Sequence, residues 1–340
     1  MLLPFLHKIA AGQDLAASEA HDAMFAILEG AASTPQISAF LMGLHMKGET
    51  PEELLGFARA MREKTIRIDA CVASEPLLDT CGTGGGAGST FNISTISAFV
   101  AAGAGARVAK HGNRSFSTQC GSADILEELG VTVAQTPERV GQAIREIGIG
   151  FLFAPQLHPA MKHAQPARME LKMRTVFNLL GPLTNPAGAT RQLIGAPSAH
   201  AAKLIAHALA GLGPERAFVV HGDGLDEVTT TGTTLIFEVL GSRVRSFEWT
   251  PEDFGVPKAD MGALRGGDRG RNAEIARTVL LGHPGAQRDI VLINSAAALV
   301  VSGIADSPVD AMQRAAASID SGAAWAKLQR LAEFSSRRPI

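Results

Sequence analysis

Residues 77–95 read LLDTCGTGGGAGSTFNIST, an apolar stretch that runs into a glycine cluster and then into residues able to open a helix. With Gly82, Gly84, Gly85, Gly86 and Gly88 in one turn, an anion can approach the main chain directly. A strand that passes through such a turn into a helix brings unpaired N–H groups and the positive end of the helix dipole to one point. Alone, the string is as consistent with a tight turn as with phosphate binding. Its neighbours narrow the choice. The hydroxyls of Thr90, Ser94 and Thr95 and the amide of Asn92 add donors, whereas the lysine of a Walker loop and an acidic residue for a ribose are missing. Neither an ATPase nor a dinucleotide-binding unit fits this pattern well.

The text around the loop is of two kinds. Residues 1–70 carry apolar residues at helical spacing, as in Leu2, Phe5, Leu6, Ile9 and in Ile37, Phe40, Leu41, Leu44. Thr34 before Pro35, and Thr50 before Pro51 with Glu53 completing a capping box, are helix starts; Gly12, Gly30 and Gly48 are stops. From about residue 75, β-rich runs alternate with helical patterns: PLLDT, ARVAK, VTVAQ, GFLFA, RQLIGA, AFVVHG, LIFEVL and IVLINS. A chain of 340 residues, 46% hydrophobic, can bury a large core and divides into about two domains. The expected fold is therefore α/β: a small all-helical N-terminal domain and a larger α/β domain whose mostly parallel central sheet is covered by helices. Residues 159–190 break the strand rhythm with another helical stretch. The expected division is 1–70 as the helical domain with 160–190 packing against it, and 74–158 with 191–340 as the larger domain. GALRGGDRGRN, residues 262–272, reads as a surface loop.

A net charge of −2 gives no general attraction to nucleic acid or to an anionic membrane, so an anion must be held by a built site. Cys71, Cys81 and Cys120 have no zinc-ligand spacing and suit free thiols in a reducing compartment. The start of the chain reads as no secretory leader, and AAALVVSGIA is too short to span a bilayer; a cytoplasmic protein is expected.

Two further segments carry chemistry. The run ARVAK ends in KHGNRSFSTQCGSAD, residues 110–124, which gathers Lys110, His111, Asn113, Arg114, Ser115, Ser117, Thr118 and Ser122 in one loop, a second anion cradle. Both loops leave the carboxyl end of a strand, where ligands of open α/β sheets collect, so one substrate with two phosphate groups could use both. HGDGLDEVTTTG then places Asp223, Asp226 and Glu227 in a glycine-containing turn, hard oxygens suited to magnesium shared with substrate phosphates. His158 and His163, five apart and without a carboxylate cluster, read as polar or capping residues, with His158 bordering a pocket; Cys81 reads as packing.

GTGGGAGSTFNIST, KHGNRSFSTQCGSADILEELG, HPAMKHAQPARMELKMRTVFNLLGPLTNP, DGLDEVTTTG and RDIVLINSAAALVVSG, in this order and spacing, resemble the signature segments of the anthranilate phosphoribosyltransferase family. The resemblance spans nearly the whole chain. It implies Mg2+-dependent transfer of phosphoribose from phosphoribosyl pyrophosphate to anthranilate in tryptophan biosynthesis, by a homodimer whose fold is shared with the pyrimidine nucleoside phosphorylases. It implies a substrate-binding set of Gly82, Gly85, Gly86, Thr90, Asn92, Ile93, Ser94, Thr95, Lys110, His111, Gly112, Asn113, Arg114, Ser117, Thr118, Ser122, His158 and Arg168. Within this set Lys110, Asn113 and Arg168 are the catalytic candidates, Arg168 facing the anthranilate carboxylate, and Ser94, Asp226 and Glu227 are the metal ligands. Gly86 and Ala87 stand where the family usually has Asp-Gly, so one acidic group at the metal end is missing, and Thr118 and Cys120 replace serines. A nucleoside phosphorylase of the same superfamily and a non-catalytic nucleic-acid-binding relative are the rival readings.

Overall fold

A computed structural model describes residues 2–70, 75–84, 90–115 and 119–337. Gly85, Gly86, Ser117 and Thr118 of the expected site lie outside the described residues.

Four helices open the chain: α1 (Leu3–Ala10), α2 (Ala17–Leu28), α3 (Thr34–Lys47) and α4 (Pro51–Glu63). Their ends follow from local chemistry. Thr50 Oγ1 accepts the Glu53 N–H at 3.2 Å, and the Glu53 carboxylate accepts the Thr50 N–H at 2.9 Å, the reciprocal cap the sequence predicts. Gly12, Gly30 and Gly48 take positive φ just past α1, α2 and α3, where a Cβ would be strained. Glu53 is fully buried and also binds the Leu15 N–H and the Lys47 ammonium, so one carboxylate fastens three helical segments.

The elements that follow are β1 (Leu77–Gly82), α5 (Ile93–Gly103), β2 (Arg107–Gly112), α6 (Ser122–Glu128), α7 (Pro137–Ile147), β3 (Ile149–Phe153), α8 (Ala154–Leu157), α9 (Gln165–Leu171), α10 (Phe177–Leu180), β4 (Arg191–Gly195), α11 (Ala199–Ala210), β5 (Arg216–Gly222), β6 (Thr234–Leu240), β7 (Arg243–Trp249), α12 (Arg269–Leu280), α13 (Ala286–Ser302), α14 (Pro308–Asp320) and α15 (Ala323–Ser336). Among the described residues the strands form one seven-stranded sheet in the order β3-β2-β1-β4-β5-β6-β7. β3 through β5 are parallel neighbours, and β6 and β7 close the edge antiparallel. The order reverses between β1 and β4. Connections leave that point to opposite sides and open a crevice beyond the strand ends, the usual ligand position in such sheets.

Alternate residues of the strands feed different cores. Leu193 and Phe218 join α5 and α12–α15 on one face, while Ile194 and Val219 join α11 on the other. The second core continues into α1–α4 and takes in Ala164, Ala167, Phe177 and Leu180 from the segment between β3 and β4. Each fully buried Leu, Ile or Phe in it contributes about 1.5–3 kcal/mol. Arg62 Nε also donates to Leu183 O at 2.7 Å, so the helical domain is tied to that segment by polar as well as apolar contact.

Three expectations change. IVLINS lies inside α13, not in a strand; this helix is buried all round, so no polar face marks the helical period. VTVAQ is a connection outside the sheet: Val131 and Val133 are buried, but the Thr132 N–H goes to Ser335 Oγ at 2.9 Å. Residues 262–272 are no free surface loop either, since Arg265 bridges Thr90 and the stretch ends in α12.

Candidate active site

The crevice at the strand reversal is a cleft of about 760 Å³. Gly82, Asn92, Ser94, Thr95, Lys110, His111, Gly112, Asn113, Arg114, Ser122, Arg168, Asp226 and Glu227 all line it, so four segments chosen from sequence converge on one space. Thr90 is engaged by Arg265, Ile93 is buried in the core, and His158 stands behind His111 instead of on the wall.

β2 carries Lys110 in its second half, and the buried Nζ donates to Thr80 O and lies 3.4 Å from Ser94 Oγ. Burial pushes the Lys110 ammonium below the usual lysine range, and Asp79 beside it works in the opposite direction. Asp79 is the one acid inside the LLDT strand and is fully buried. Its carboxylate accepts from the His111 N–H at 3.0 Å and from Asn185 Nδ2 at 2.7 Å, which fixes the end of β2. Sequence reasoning passed over it, although a carboxylate in an apolar strand is itself a signal.

Asn92 directly precedes α5, but its side chain does not cap the helix and joins the two loops instead: Nδ2 donates to Cys120 O at 3.2 Å, and Oδ1 accepts from Asn272 of α12 at 3.0 Å. In the second loop the Asn113 N–H donates to Ser122 Oγ at 3.1 Å. Arg114 turns to Asp124 and Glu127 of α6, and these carboxylates raise its pKa. Its charge therefore holds the loop on α6.

Asp226 and Glu227 follow β5 and are the acidic pole of the cleft. Burial raises both carboxyls, Glu227 to about 8 with Asp226 adding to the effect. Asp223 is apart from them, in a left-handed turn, where its carboxylate accepts the Thr231 hydroxyl at 2.8 Å. No cluster of three His, Cys, Asp or Glu able to hold a metal exists among the described residues, so a cation here would rest on the Asp226–Glu227 pair, the Ser94 hydroxyl and ligands brought by a substrate.

The opposite wall is the segment from α9 to Pro182. Arg168 stands near the end of α9 with its guanidinium 5.3 Å from the centre of the Phe177 ring, and burial lowers its pKa. Lys172, at φ 49, ends α9 in a left-handed residue, and the turn brings Arg174 across to Thr83 Oγ1 at 3.5 Å and into the field of Asp226. Lys172 and Arg174 were not expected; their signal was the density of cations in RMELKMR.

The glycosyl transferase family helical bundle domain matches residues 3–65, and the glycosyl transferase family a/b domain matches residues 74–325. A helical bundle beside an α/β sheet whose switch-point cleft joins anion donors to buried carboxylates thus defines a glycosyl transferase. The anthranilate phosphoribosyltransferases of Solibacter usitatus and Rubrobacter xylanophilus are 58% and 51% identical to it, over 99% of this chain and 99% and 98% of theirs. The chain belongs to the anthranilate phosphoribosyltransferase family. The solved structure of that enzyme from Thermus thermophilus superimposes with a TM-score of 0.91 at 41% identity, covering 98% of this chain and 99% of that one. The Saccharomyces cerevisiae enzyme in complex with PRPP and Mg gives 0.90 at 28% identity, covering 98% of each chain.

Proposed function

We propose that this cleft joins phosphoribosyl pyrophosphate to the amine of anthranilate and releases pyrophosphate, a step of tryptophan biosynthesis. One observation carries the reading: the strand-end wall holds anion donors and two buried carboxylates, and the facing segment holds an arginine over an aromatic ring.

The donor fits the strand-end wall. Lys110 and the main chain at Gly82 and Gly84 meet negative charge as it accumulates on the departing diphosphate, a role worth a few kcal/mol per well-placed group. Ser122 and Asn113, locked together, present the second loop to the other phosphate. Ser94, Asp226 and Glu227 fit magnesium, because they are hard oxygens, a cation beside the two carboxyls would favour the ionised form that burial resists, and they leave most of the coordination shell to waters and substrate phosphates. Bound there, magnesium would offset the charge of these carboxylates and of the diphosphate.

The acceptor fits the other wall. Arg168 offers a planar fork to its carboxylate, and Phe177 and Pro182 offer apolar surface to its ring. Loss of pyrophosphate leaves a ribosyl centre with oxocarbenium character, and the amine attacks with its own lone pair, so a strong general base is dispensable. A second copy of the chain as partner and a cytoplasmic site of action belong to the same reading. Among the described residues no helix is long and apolar enough to cross a membrane.

Adding phosphoribosyl pyrophosphate and Mg2+ to the protein should extinguish anthranilate fluorescence, while thymidine with phosphate should release no thymine. Persistent fluorescence together with thymine release would replace this reading by a nucleoside phosphorylase.

A further inference from the structure

The first turn of α12 lines neither wall of the cleft, yet it holds the two loops that do. Asn272 is buried, lies off the cleft wall and stands 180 residues from Asn92. Its Oδ1 accepts the Gly267 N–H at 2.8 Å, and its Nδ2 donates to Asn92 Oδ1 at 3.0 Å. Asn92 Nδ2 in turn donates to Cys120 O at 3.2 Å. The direction of this line follows from its ends. A main-chain N–H can only donate and a main-chain carbonyl can only accept, so Gly267 and Cys120 fix which side of each carboxamide faces which way. Three contacts use three separate protons, on Gly267 N, Asn272 Nδ2 and Asn92 Nδ2, and flipping either amide would set donor against donor or acceptor against acceptor.

The surroundings of the line support the same contact. A Cβ on Gly266 would fall 2.7 Å from Phe91 N and 2.8 Å from Asn272 Oδ1, so the chain entering α12 lies against the approach to α5 with no room for a side chain. Asp268 caps α12 through the Arg271 N–H at 2.8 Å, which fixes the turn that carries Asn272. From the same turn Arg269 Nη2 lies 3.9 Å from Asp124 Oδ1, and Asp124 accepts the N–H groups of Ser115 and Gly121 in the second loop. An asparagine directly before a helix ordinarily turns its oxygen onto the first turn of that helix. Here Asn272 takes the oxygen, and the Asn92 amide is kept across the gap to Cys120. We infer that Asn272 is a positioning residue: acting through Asn92, it sets the spacing between the glycine loop and the second anion cradle, and so between the donors offered to the two phosphate ends of one substrate.

The kinetic consequence rests on the proposed donor wall; the link between the loops does not, so the two readings fail separately. Without substrate, hydrogen–deuterium exchange of the full-length protein should quicken together in residues 90–95 and 119–122 of Asn272→Leu and Asn272→Ala. Gly266→Ala keeps both amides but presses on the same contact from a partly exposed loop, and should quicken the same two stretches even where a change at Asn272 prevents folding. The Asn272 variants should raise KM for phosphoribosyl pyrophosphate roughly 5–10-fold, the loss of one buried hydrogen bond, and change KM for anthranilate less than about twofold. In an Asn92→Ala background, Asn272→Ala should add less than about twofold, because the link is already cut. Unchanged exchange at 119–122 in the folded variants refutes the link. An unchanged donor KM, an anthranilate KM that moves as far as the donor KM, or an Asn272→Ala effect that persists in full beside Asn92→Ala refutes the positioning role. A parent that leaves phosphoribosyl pyrophosphate unused overturns the proposed function and leaves the exchange result standing.

Discussion

A Cβ placed on Gly195 would fall 1.8 Å from the main-chain oxygen of Asp226. Gly195 ends β4 at the strand reversal, and the turn bearing the two cleft carboxylates lies directly on it. Its φ is not among the positive ones, so the glycine is required for space and not for conformation. Gly195→Ala must therefore push the Asp226–Glu227 turn outward, because the obstacle is backbone and cannot swing aside. Activity should fall at least about 100-fold, roughly 2.7 kcal/mol of transition-state stabilisation. Titration of Mn2+ binding by electron paramagnetic resonance should show a matching loss of affinity, and wild-type Mn2+ affinity in this variant would refute the metal assignment of the turn.

Arg174 reaches from the α9–α10 wall to Thr83 and toward Asp226, so it bridges the cleft at the end proposed for the diphosphate. Arg174→Ala removes that bridge and leaves the Asp226 carboxylate with less compensating charge. The expected result is a fall of about 10–100-fold in kcat/KM for phosphoribosyl pyrophosphate, the worth of a charge-assisted contact, with a smaller change for anthranilate. Arg174→Lys should recover only part of this, since an ammonium cannot reproduce the fork. Steady-state kinetics with each substrate varied in turn decides it.

What could be read from the sequence was what local chemistry encodes. The α4 cap was legible because Thr50 and Glu53 are three residues apart, and the cleft was legible where polar residues crowd a strand end, as at Lys110, Asn113 and Asp226. Features that depend on distant neighbours were not. Gly195 looks like any strand-ending glycine until Asp226 is seen above it, and Thr65 looks like a helix-terminal hydroxyl until His158 meets it. Arg174 sits in text that reads as continuous helix, and only the left-handed Lys172 turns it into the cleft. The burial that erased the period of α13 made IVLINS look like a strand for the same reason: its surroundings are tertiary.

The buried histidine pair makes the fold acid-sensitive. Both groups have folded-state pKa values below the ordinary 6.5, His158 at about 4 and His111 at about 3. Between about pH 6.5 and about 4 the unfolded chain binds protons that the folded chain refuses, so stability rises with pH across this window and is lost as pH falls. Each ring contributes up to about 1.4 kcal/mol per pH unit. Urea denaturation at pH 7 and pH 5 should therefore show a smaller acid penalty in His158→Gln than in the parent, by about 2 kcal/mol. Equal penalties would mean that His158 is hydrated in the native state.

Arg168 separates the two walls of the cleft functionally. Its guanidinium is held over Phe177, and burial has stripped much of its water, so a carboxylate that meets it gains a strong partner and an alanine leaves a void that solvent fills. Arg168→Ala should raise KM for anthranilate by about 10–100-fold, while KM for phosphoribosyl pyrophosphate, whose proposed place is at the β1 and β2 ends, stays within about threefold. The variant should also bind anthranilamide, which lacks the carboxylate, about as well as the parent does. If the donor KM rises and the anthranilate KM does not, Arg168 serves the diphosphate and the acceptor lies elsewhere in the cleft.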